Sequence, residues 1–453
     1  MAFIRCKMFS LQLKIVVNMN KSRKKTPRQV LESAFTLYIK GNITECFNLL
    51  NDISASNLGG LDKSLFKKTM LLLLVGEFFG HHTLNQILEV QMKKSGRWHS
   101  RLASLSYKQI EIGVCTILKT MGLKALEDLA KKSDSSWSRS NVSMVIDDSV
   151  FKQWLTHGTT DPETCEFFDR FYSGQMKSVV YGFRITLCGL AIDDTFYPLS
   201  FKLTKKTDNT RQVACDLLES LHKDIVSMCQ KEDLTLPNLF LSVDSGFHGK
   251  ELLDLCEKLK LAAILAVTLI CVPKNNHILE IHASKGTPDF RGKLPEFIEK
   301  HFISAEQKFY QDPNNKDKHF TMRLKANYVS VKTEVVLLIF RFQKSRKVSV
   351  IYSTDLNIKA KTLRHRWFQR THIEQFFRLL KDTLKIQQSK STNKNEFVKK
   401  LCIKFFQALH VQLFRNFCRK KFRYLKGLSF QKIRLLMIVN LDVKSVLKEY
   451  TET

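Results

Sequence analysis

The sequence lacks the features that mark membrane, secreted and zinc-binding proteins. Its longest mostly apolar runs are Met70–Val75 and Leu261–Val272, well short of the roughly 20 residues that a membrane-spanning helix needs. The 11 cysteines include no C-x-x-C pair and the 13 histidines show no zinc-finger spacing, so we expect reduced thiols and no structural zinc. The N-terminus is basic and shows no small-residue cleavage site, which argues against a signal peptide.

Acidic residues are also scarce relative to basic ones. The chain has 73 Lys and Arg against 43 Asp and Glu, a formal net charge of +30. An excess of this size is repulsive unless an anionic partner balances it. Nucleic acid is the favoured partner, because no segment indicates insertion into a membrane. The hydrophobic fraction of 44% is enough to build packed cores, so we expect a folded, cytoplasmic, nucleic-acid-binding protein with no membrane partner.

The N-terminal third of the chain reads as helical. Residues 1–25 form a basic tail, and Thr26-Pro27 is a typical helix start. Apolar residues then recur at helical spacing, so we predict a helical N-terminal domain over 26–135 that is a candidate DNA-binding region. Two interpretations remain for Thr83–Leu105: a helix-turn-helix around Ser95-Gly96, or part of a plain helical bundle.

The pattern changes after a Ser-rich linker that precedes residue 140. Strand-like runs at Val142–Ile146, Val179–Ile192, Thr195–Leu203, Leu239–Val243 and Ala262–Val267 alternate with helical runs at Thr210–Cys229 and His248–Leu259. This order indicates an α/β fold with an RNase H-like catalytic core over 140–270 and 361–390. We interpret 271–360 as a β-rich insertion and 391–453 as a basic, α-helical C-terminal region.

The strongest local signal is the segment from Arg364 to Gln388, which we predict to be one amphipathic helix. At about 100° per residue, one face is apolar and the other is a narrow stripe of five charged residues and an aromatic. A solvated face with ion pairs around Glu374 is one interpretation. A DNA-contacting face is the other, because the cations suit phosphates and the aromatic suits stacking. The stripe consists of Trp367, Arg370, Glu374, Arg378, Lys381 and Lys385.

The spacing Trp367-x2-Arg370-x3-Glu374-x6-Lys381 resembles the Tyr-Arg-Glu-Lys signature of bacterial insertion-sequence DDE transposases, the IS-four-like family. Trp367 departs from the family's Tyr, which keeps the aromatic plane and loses the hydroxyl. The resemblance implies that Glu374 is a catalytic metal ligand. It also implies two Mg²⁺ ions as cofactors, for which Mn²⁺ would substitute, and DNA contacts by Trp367, Arg370 and Lys381. Arg378 and Lys385 extend the same predicted DNA-binding face.

Two aspartates resemble the remaining acids of that family. Asp147 follows the predicted strand Val142–Ile146, and Asp244 follows Leu239–Val243 and precedes a Gly-aromatic pair. Successive side chains on a strand point to opposite faces, so only one of Asp147 and Asp148 can enter a common site, and we choose Asp147. Asp193 offers a rival first acid, but its position between two long strands is typical of a hairpin turn. The predicted catalytic and metal-binding set is therefore Asp147, Asp244 and Glu374.

The resemblance implies a cut-and-paste DNA transposase. Such a protein would act as a homodimer on double-stranded DNA, namely the terminal inverted repeats of its element and the target, at the bacterial nucleoid. Two alternatives remain open from the sequence. One is a nuclease of the same fold that cuts DNA without joining it. The other is a non-catalytic DNA-binding derivative, which the presence of all three acids disfavours.

Overall fold

A computed structural model describes most of the chain between residues 27 and 441. The described segments are 27–51, 53–54, 56–79, 100, 104–131, 142–152, 167–174, 176–235, 239–261, 265–282, 289–315, 319–329, 332–341, 347–388, 393–422 and 429–441. The predicted basic tail and the centre of the candidate helix-turn-helix lie outside these residues. The predicted acids and the cationic stripe lie within them.

The described helices occur in three groups along the chain. In chain order they are α1 (Pro27–Tyr38), α2 (Thr44–Asn48), α3 (Lys63–Phe78), α4 (Tyr107–Ala130), α5 (Thr210–Lys231), α6 (Lys250–Leu261), α7 (Leu294–Phe297), α8 (Ile303–Gln311), α9 (Ala360–Phe368), α10 (Thr371–Arg378), α11 (Lys394–Lys421) and α12 (Phe430–Asn440). Helix α1 begins at Pro27 as predicted, with Pro at a position where its missing N–H costs nothing. Among the described helices, none combines the length and the apolar character needed to cross a bilayer.

The described residues form two compact units. The first takes its residues from 1–121, 152–166 and 376–453 and is helical where it is described. Its core is rich in aromatic rings, and Phe35, Tyr38 and Phe78 of α1 and α3 pack around Phe414 of α11. The Tyr38 hydroxyl donates to the backbone carbonyl of His410 at 3.0 Å, and the His410 Nδ1 lies 2.8 Å from the same hydroxyl oxygen. Helices from both ends of the sequence therefore share one core.

His410 makes the stability of this helical unit depend on pH. Its side chain is fully buried, and burial lowers its pKa from 6.5 to about 3. The unfolded chain therefore binds a proton near pH 6.5 that the folded chain does not bind until about pH 3. Lowering the pH from 7 to 5 should favour unfolding by about 2 kcal/mol through this group alone. Thermal unfolding at the two pH values measures this loss of stability.

The variant His410→Gln is the control for that prediction, because it removes the titrating group and keeps a polar side chain. The drop in unfolding midpoint between pH 7 and pH 5 should be smaller in His410→Gln than in the wild type. His248 of the second unit, whose pKa is lowered to about 4 by burial, contributes a drop of the same sign in both proteins. An equal drop in both proteins would show that His410 is not the group responsible.

The second unit takes its residues from 122–151 and 167–375 and is built on one large mixed sheet. Its strands are β1 (Val142–Lys152), β2 (Asp169–Ser173), β3 (Ser178–Ile192), β4 (Thr195–Thr204), β5 (Leu239–Val243), β6 (Val267–Cys271), β7 (Ile278–Ile281), β8 (Phe290–Lys293), β9 (Thr321–Tyr328), β10 (Thr333–Arg341) and β11 (Val348–Ser353). Within the described residues the order is β2-β3-β1-β5-β6-β11-β10-β9-β7-β8, with β4 also paired to β3. The mixed α/β class predicted from the sequence is confirmed.

One face of this sheet packs into the main hydrophobic core, and the other face is turned toward α9. Val142, Met144 and Ile146 of β1 belong to the main hydrophobic core together with residues of α5 and α6. Because side chains alternate along a strand, Ser143, Val145 and Asp147 point to the opposite face. Helix α9 lies on that opposite face. There the Ser242 hydroxyl of β5 donates a hydrogen bond to the backbone carbonyl of Arg366 in α9 at 3.3 Å. Asp147 therefore points toward the face that α9 covers.

Several boundaries predicted from the sequence are wrong. Asp147 does not end its strand, because β1 continues to Lys152 and the ring of Phe151 stacks on Phe183 of β3 at 4.9 Å. The last strand of the parallel set is β6, which spans Val267–Cys271 rather than Ala262–Val267. Periodicity alone could not place β6, since Leu261–Val272 is apolar almost throughout. The short strand β2 was not predicted.

The β-rich insertion extends the core sheet rather than forming a separate one. β11 pairs antiparallel with β6 through Tyr352 and Cys271, and β10, β9, β7 and β8 follow outward. The region also contains a helical stretch that the sequence pattern did not predict, formed by α7, a π-helical segment Ile298–Phe302 and α8. Leu294, Phe297 and Phe302 of this stretch are buried in the main core, so it covers the sheet rather than standing apart from it.

Gly189 occupies a site in β3 where no side chain fits. The register between β3 and β4 shifts at Cys188/Gly189, and a Cβ at Gly189 would lie 2.1 Å from the carbonyl oxygen of Tyr197 and 2.8 Å from the ring of Phe196. Because a backbone atom cannot move as a side chain can, Gly189→Ala should destabilise this unit by about 3 kcal/mol. A clear fall in the thermal unfolding midpoint is the expected measurement.

Gly174→Ala is a matched control, because a Cβ at Gly174 meets nothing within 4 Å. Its free energy of unfolding should change by no more than about 0.5 kcal/mol, as expected of a neutral surface substitution. Its unfolding midpoint should therefore stay close to that of the wild type. If Gly189→Ala were as stable as Gly174→Ala, the close approach of β3 and β4 at Gly189 would be wrong.

Candidate active site

Two of the predicted acids lie side by side at one edge of the sheet. β1 and β5 pair in parallel, with Ile146 opposite Val243, and the next residues are Asp147 and Asp244. Neighbouring strands are about 4.8 Å apart, so the register alone places these aspartates close together. The Asp244 carboxylate accepts a hydrogen bond from the Ser245 N–H at 2.8 Å and begins a tight turn. The edge at which parallel strands end is where α/β proteins commonly bind ligands.

Arg370 joins the third predicted acid to the first. Its Nη1 donates to Asp147 Oδ2 at 2.8 Å, and its Nη2 donates to Glu374 Oε1. The guanidinium carbon lies 4.9 Å from the centre of the Trp367 ring, a cation–π arrangement. The structure therefore brings Asp147 and Glu374 together through one arginine, and Trp367 packs on that arginine.

The charges at this edge are strongly coupled. Burial raises the pKa of Asp147 to about 7; the Arg370 guanidinium opposes this rise, and the charges of Asp148 and Asp244 add to it. Burial also raises the pKa of Asp148, opposed by Arg184 and assisted by Asp244. Crowded carboxylates in a buried place repel one another, so a cation is required for all of them to ionise.

The donor set suits a hard cation but is not assembled as a metal cage. Its ligand groups are carboxylate oxygens, which Mg²⁺ and Mn²⁺ prefer. Within the described residues, no group of three or more His, Cys, Asp or Glu side chains is placed to hold a metal ion. Asp147 and Glu374 each direct an oxygen at Arg370 instead. The oxygen ligands of Asp147 and Asp244 thus suit an oxygen-preferring ion, whereas Glu374 is held by Arg370.

A cleft of about 1020 Å³ opens beside Asp244. Trp367 and Arg370 line it on one side, and residues of the β6–β7 loop and the insertion line the rest. Apolar side chains such as Leu294 and Ile298 line part of its wall. The lining residues with charged, amide or aromatic side chains are Asp244, Lys274, Asn275, Asn276, Glu299, Lys347, Trp367 and Arg370.

The single helix predicted from Arg364 to Gln388 is wrong. Helix α9 ends at Phe368, and the N–H groups of Gln369 and Arg370 bond to carbonyls three residues back, which is a tighter turn than an α-helix makes. A second helix, α10, is followed by a π-helical segment Leu379–Thr383. Lys385 lies beyond that segment with a positive φ of 50°. A regular helix with about 100° per residue therefore does not describe the whole segment from Trp367 to Lys385.

The predicted DNA-binding residues are divided between the two units. Trp367 and Arg370 lie in the sheet-containing unit with all three acids, whereas Arg378, Lys381 and Lys385 belong to the helical unit. Arg378 and Lys385 are exposed. The structure thus groups the acids with the first half of the predicted stripe, and the role of the second half stays a prediction.

Sequence reasoning missed Arg366. This residue is buried, its Nη1 donates to the carbonyl of Val142 at 2.8 Å, and its guanidinium lies 5.1 Å from the ring of Phe240. It fastens α9 to β1 and β5, the two strands that present the aspartates. A signal was present, because Arg366 falls within the apolar arc of the helical projection, where a cation is exceptional.

The mixed sheet thus carries two aspartates at matched positions of neighbouring parallel strands, with Arg370 and Glu374 beside the first of them. A family model described as a transposase DDE domain matches residues 173–408, just over half of the 453 residues. The chain belongs to the transposase DDE domain family. The matched range contains Asp244 and Glu374, and Asp147 precedes it. A comparison with curated proteins finds no match.

Proposed function

We propose that this protein is a cut-and-paste DNA transposase with an RNase H-like catalytic domain, in which Asp147, Asp244 and Glu374 hold two Mg²⁺ ions. The observation that carries the proposal is the register of β1 and β5, which sets Asp147 beside Asp244, together with the Arg370 bridge from Asp147 to Glu374. Separate elements of a transposase family member thereby direct carboxylates to one edge.

Each of the three acids would be held in place as a metal ligand by a structured element of the chain. Asp147 projects from within β1, Asp244 begins a turn that is capped by its own carboxylate, and Glu374 lies on α10. Metal ions bound there would activate the attacking oxygen and stabilise the departing one in phosphoryl transfer. Mn²⁺ would substitute, because it prefers the same oxygen ligands.

The neighbouring side chains would handle the DNA strand. Trp367 lines the cleft, where its aromatic plane can stack on a nucleotide. Arg370 balances the acids before the ions bind and can then turn to a phosphate. Arg378, Lys381 and Lys385 would contact further phosphates. The net charge of +30 is consistent with many such contacts. The partners would be the element's terminal inverted repeats and target DNA, bound by a homodimer at the bacterial nucleoid.

The test is incubation of the full chain with duplex DNA taken from the flanks of its own gene, with and without Mg²⁺. A transposase yields nicks that leave a 3′-hydroxyl at the element end, followed by products joined to a second duplex. Cleavage without joining identifies a nuclease of the same fold. DNA binding with no cleavage under Mg²⁺ or Mn²⁺ contradicts a catalytic role and identifies a DNA-binding derivative.

A further inference from the structure

A cluster of basic side chains lies at the same sheet edge as the acids. β6 pairs in parallel with β5, and Cys271 is opposite Val243, so the loop that follows β6 begins beside Asp244. Lys274 is part of that loop. Arg211, the second residue of α5, lies over the turn that follows Asp244, since a Cβ at Gly249 would be 2.9 Å from its Cδ. The three consecutive parallel strands therefore present two acids and then a cation.

The positive charge of this cluster is only partly balanced. Burial lowers the pKa of Lys274, and the Arg211 charge lowers it further. Burial also lowers the pKa of His277, and the charges of Lys274 and Arg211 lower it further. Among the described residues, Glu251 is the carboxylate whose charge acts on Lys274; it lies 3.8 Å from Arg211 Nη1 and is 43% exposed. Lys274 and Arg211 thus share one partly solvated carboxylate, and the positive charge that remains can attract an anion.

The loop that carries Lys274 is fastened to the turn that carries Asp244. His248, at the end of that turn, is buried; its Nδ1 is 2.8 Å from the Tyr352 hydroxyl and its Nε2 is 3.0 Å from His277 Nδ1. The backbone N–H of His277 in turn donates to the backbone carbonyl of Lys274 at 3.4 Å. The Cys271 thiol also donates to the carbonyl of Asp244 at 3.4 Å. These hydrogen bonds hold the backbone of Lys274 and the backbone of Asp244 in a fixed relation.

We propose that Lys274, supported by Arg211, forms a phosphate subsite that holds the DNA strand as it passes along the cleft from Asp244. Lys274, Asn275 and Asn276 line the same cleft as Asp244, Trp367 and Arg370. The ligand is a phosphodiester of duplex DNA. A subsite in this part of the cleft would grip the strand beside the reacting phosphate and limit its movement. The identity of the polymer rests on the proposed function.

The experiment measures DNA binding in EDTA, where cleavage chemistry plays no part. A mixed-sequence duplex is titrated with wild type, Lys274→Gln and the double variant Lys274→Gln/Arg211→Gln over a range of salt concentrations. Removing one phosphate-binding cation should make the slope of log affinity against log salt shallower by about 1. We expect a change of about 1 for the single variant and about 2 for the double variant, on the same scale, with Lys274→Arg retaining the wild-type slope.

Lys258→Gln is the matched control. Lys258 is 75% exposed and lies on α6 about 12 Å from the end of that helix nearest Asp244, at 1.5 Å per residue. Its slope should equal that of the wild type. An unchanged slope in Lys274→Gln, or an equal change in Lys258→Gln, overturns the subsite while leaving the proposed function intact. Failure of the wild type to bind DNA at all overturns both. Thermal unfolding of each variant confirms that it is folded.

Discussion

Asp147→Asn, Asp244→Asn and Glu374→Gln should each lower metal-dependent DNA cleavage by about a hundredfold to a thousandfold, on the scale of removing one preorganised electrostatic group. Each change replaces a charged oxygen with a neutral amide and keeps the size of the side chain. Since the proposed function assigns all three carboxylates to the same metal ions, removing any one of them should disable the same step. Cleavage of labelled duplex in Mg²⁺ is the measurement.

DNA binding should persist in all three acid variants, and their affinity in EDTA should be no weaker than that of the wild type. The control is Asp193→Asn. Asp193 is exposed in the hairpin turn between β3 and β4 with a positive φ of 50°, a conformation that Asn also adopts readily. It should cleave like the wild type. If Asp193→Asn were inactive and Asp147→Asn active, the assignment of the first acid would be wrong.

Arg370→Gln should lower cleavage at neutral pH by about a hundredfold and move the acid limb of the pH–rate profile upward. The Arg370 guanidinium lowers the pKa of Asp147, which burial has raised to about 7. Removing that cation raises the pKa of Asp147 further, so before the metal ions bind a smaller fraction of Asp147 is ionised and able to bind a metal ion at neutral pH, and activity should recover as the pH rises. The rate measured from mildly acidic to mildly alkaline pH tests this shift.

Arg370→Lys separates charge from geometry at the same position. A lysine keeps the positive charge, so its pH profile should stay close to that of the wild type. Its single ammonium cannot bridge Asp147 and Glu374 as the two guanidinium nitrogens do, so the rate should be restored only in part. A different outcome would support the phosphate-contact role expected from the sequence: weaker DNA binding in EDTA for Arg370→Gln, with no change in the pH profile.

Much of the sheet could be predicted because its strands have local signatures. The bounds of Leu239–Val243 agree with the prediction at both ends, and those of the β3–β4 hairpin agree to within one residue. Asp193-Asp194 forms the predicted two-residue turn, since short polar residues adopt the left-handed conformation that such a turn requires. β2 and the α7–α8 helical stretch were missed. The α7–α8 stretch is stabilised by packing on distant strands, which no local pattern records, whereas β2 is only five residues long and pairs with the adjacent strand β3.

The candidate site was likewise predictable only in part. Asp147, Asp244, Glu374, Arg370 and Trp367 were chosen from local motifs, and the structure places all five in one unit. Their relation to one another could not be predicted from those motifs. The parallel register of β1 and β5, and the ion pair between Arg370 and Asp147, depend on contacts between segments that are distant in sequence. The ion pair between Arg370 and Glu374 is local, four residues apart, and was one of the two interpretations open from the sequence.

Residue types and short-range order establish the chemistry available to this protein: a large cationic excess, three acids in strand and helix contexts, and an aromatic-arginine-glutamate spacing that resembles a signature of DNA transposases. These properties can be read along the chain. Three further features appear only in the folded protein: Arg370 bridges Asp147 and Glu374, Arg366 joins α9 to β1 and β5, and Lys274 lines the same cleft as Asp244. These depend on strand register and burial, and both are fixed by packing between segments far apart along the chain.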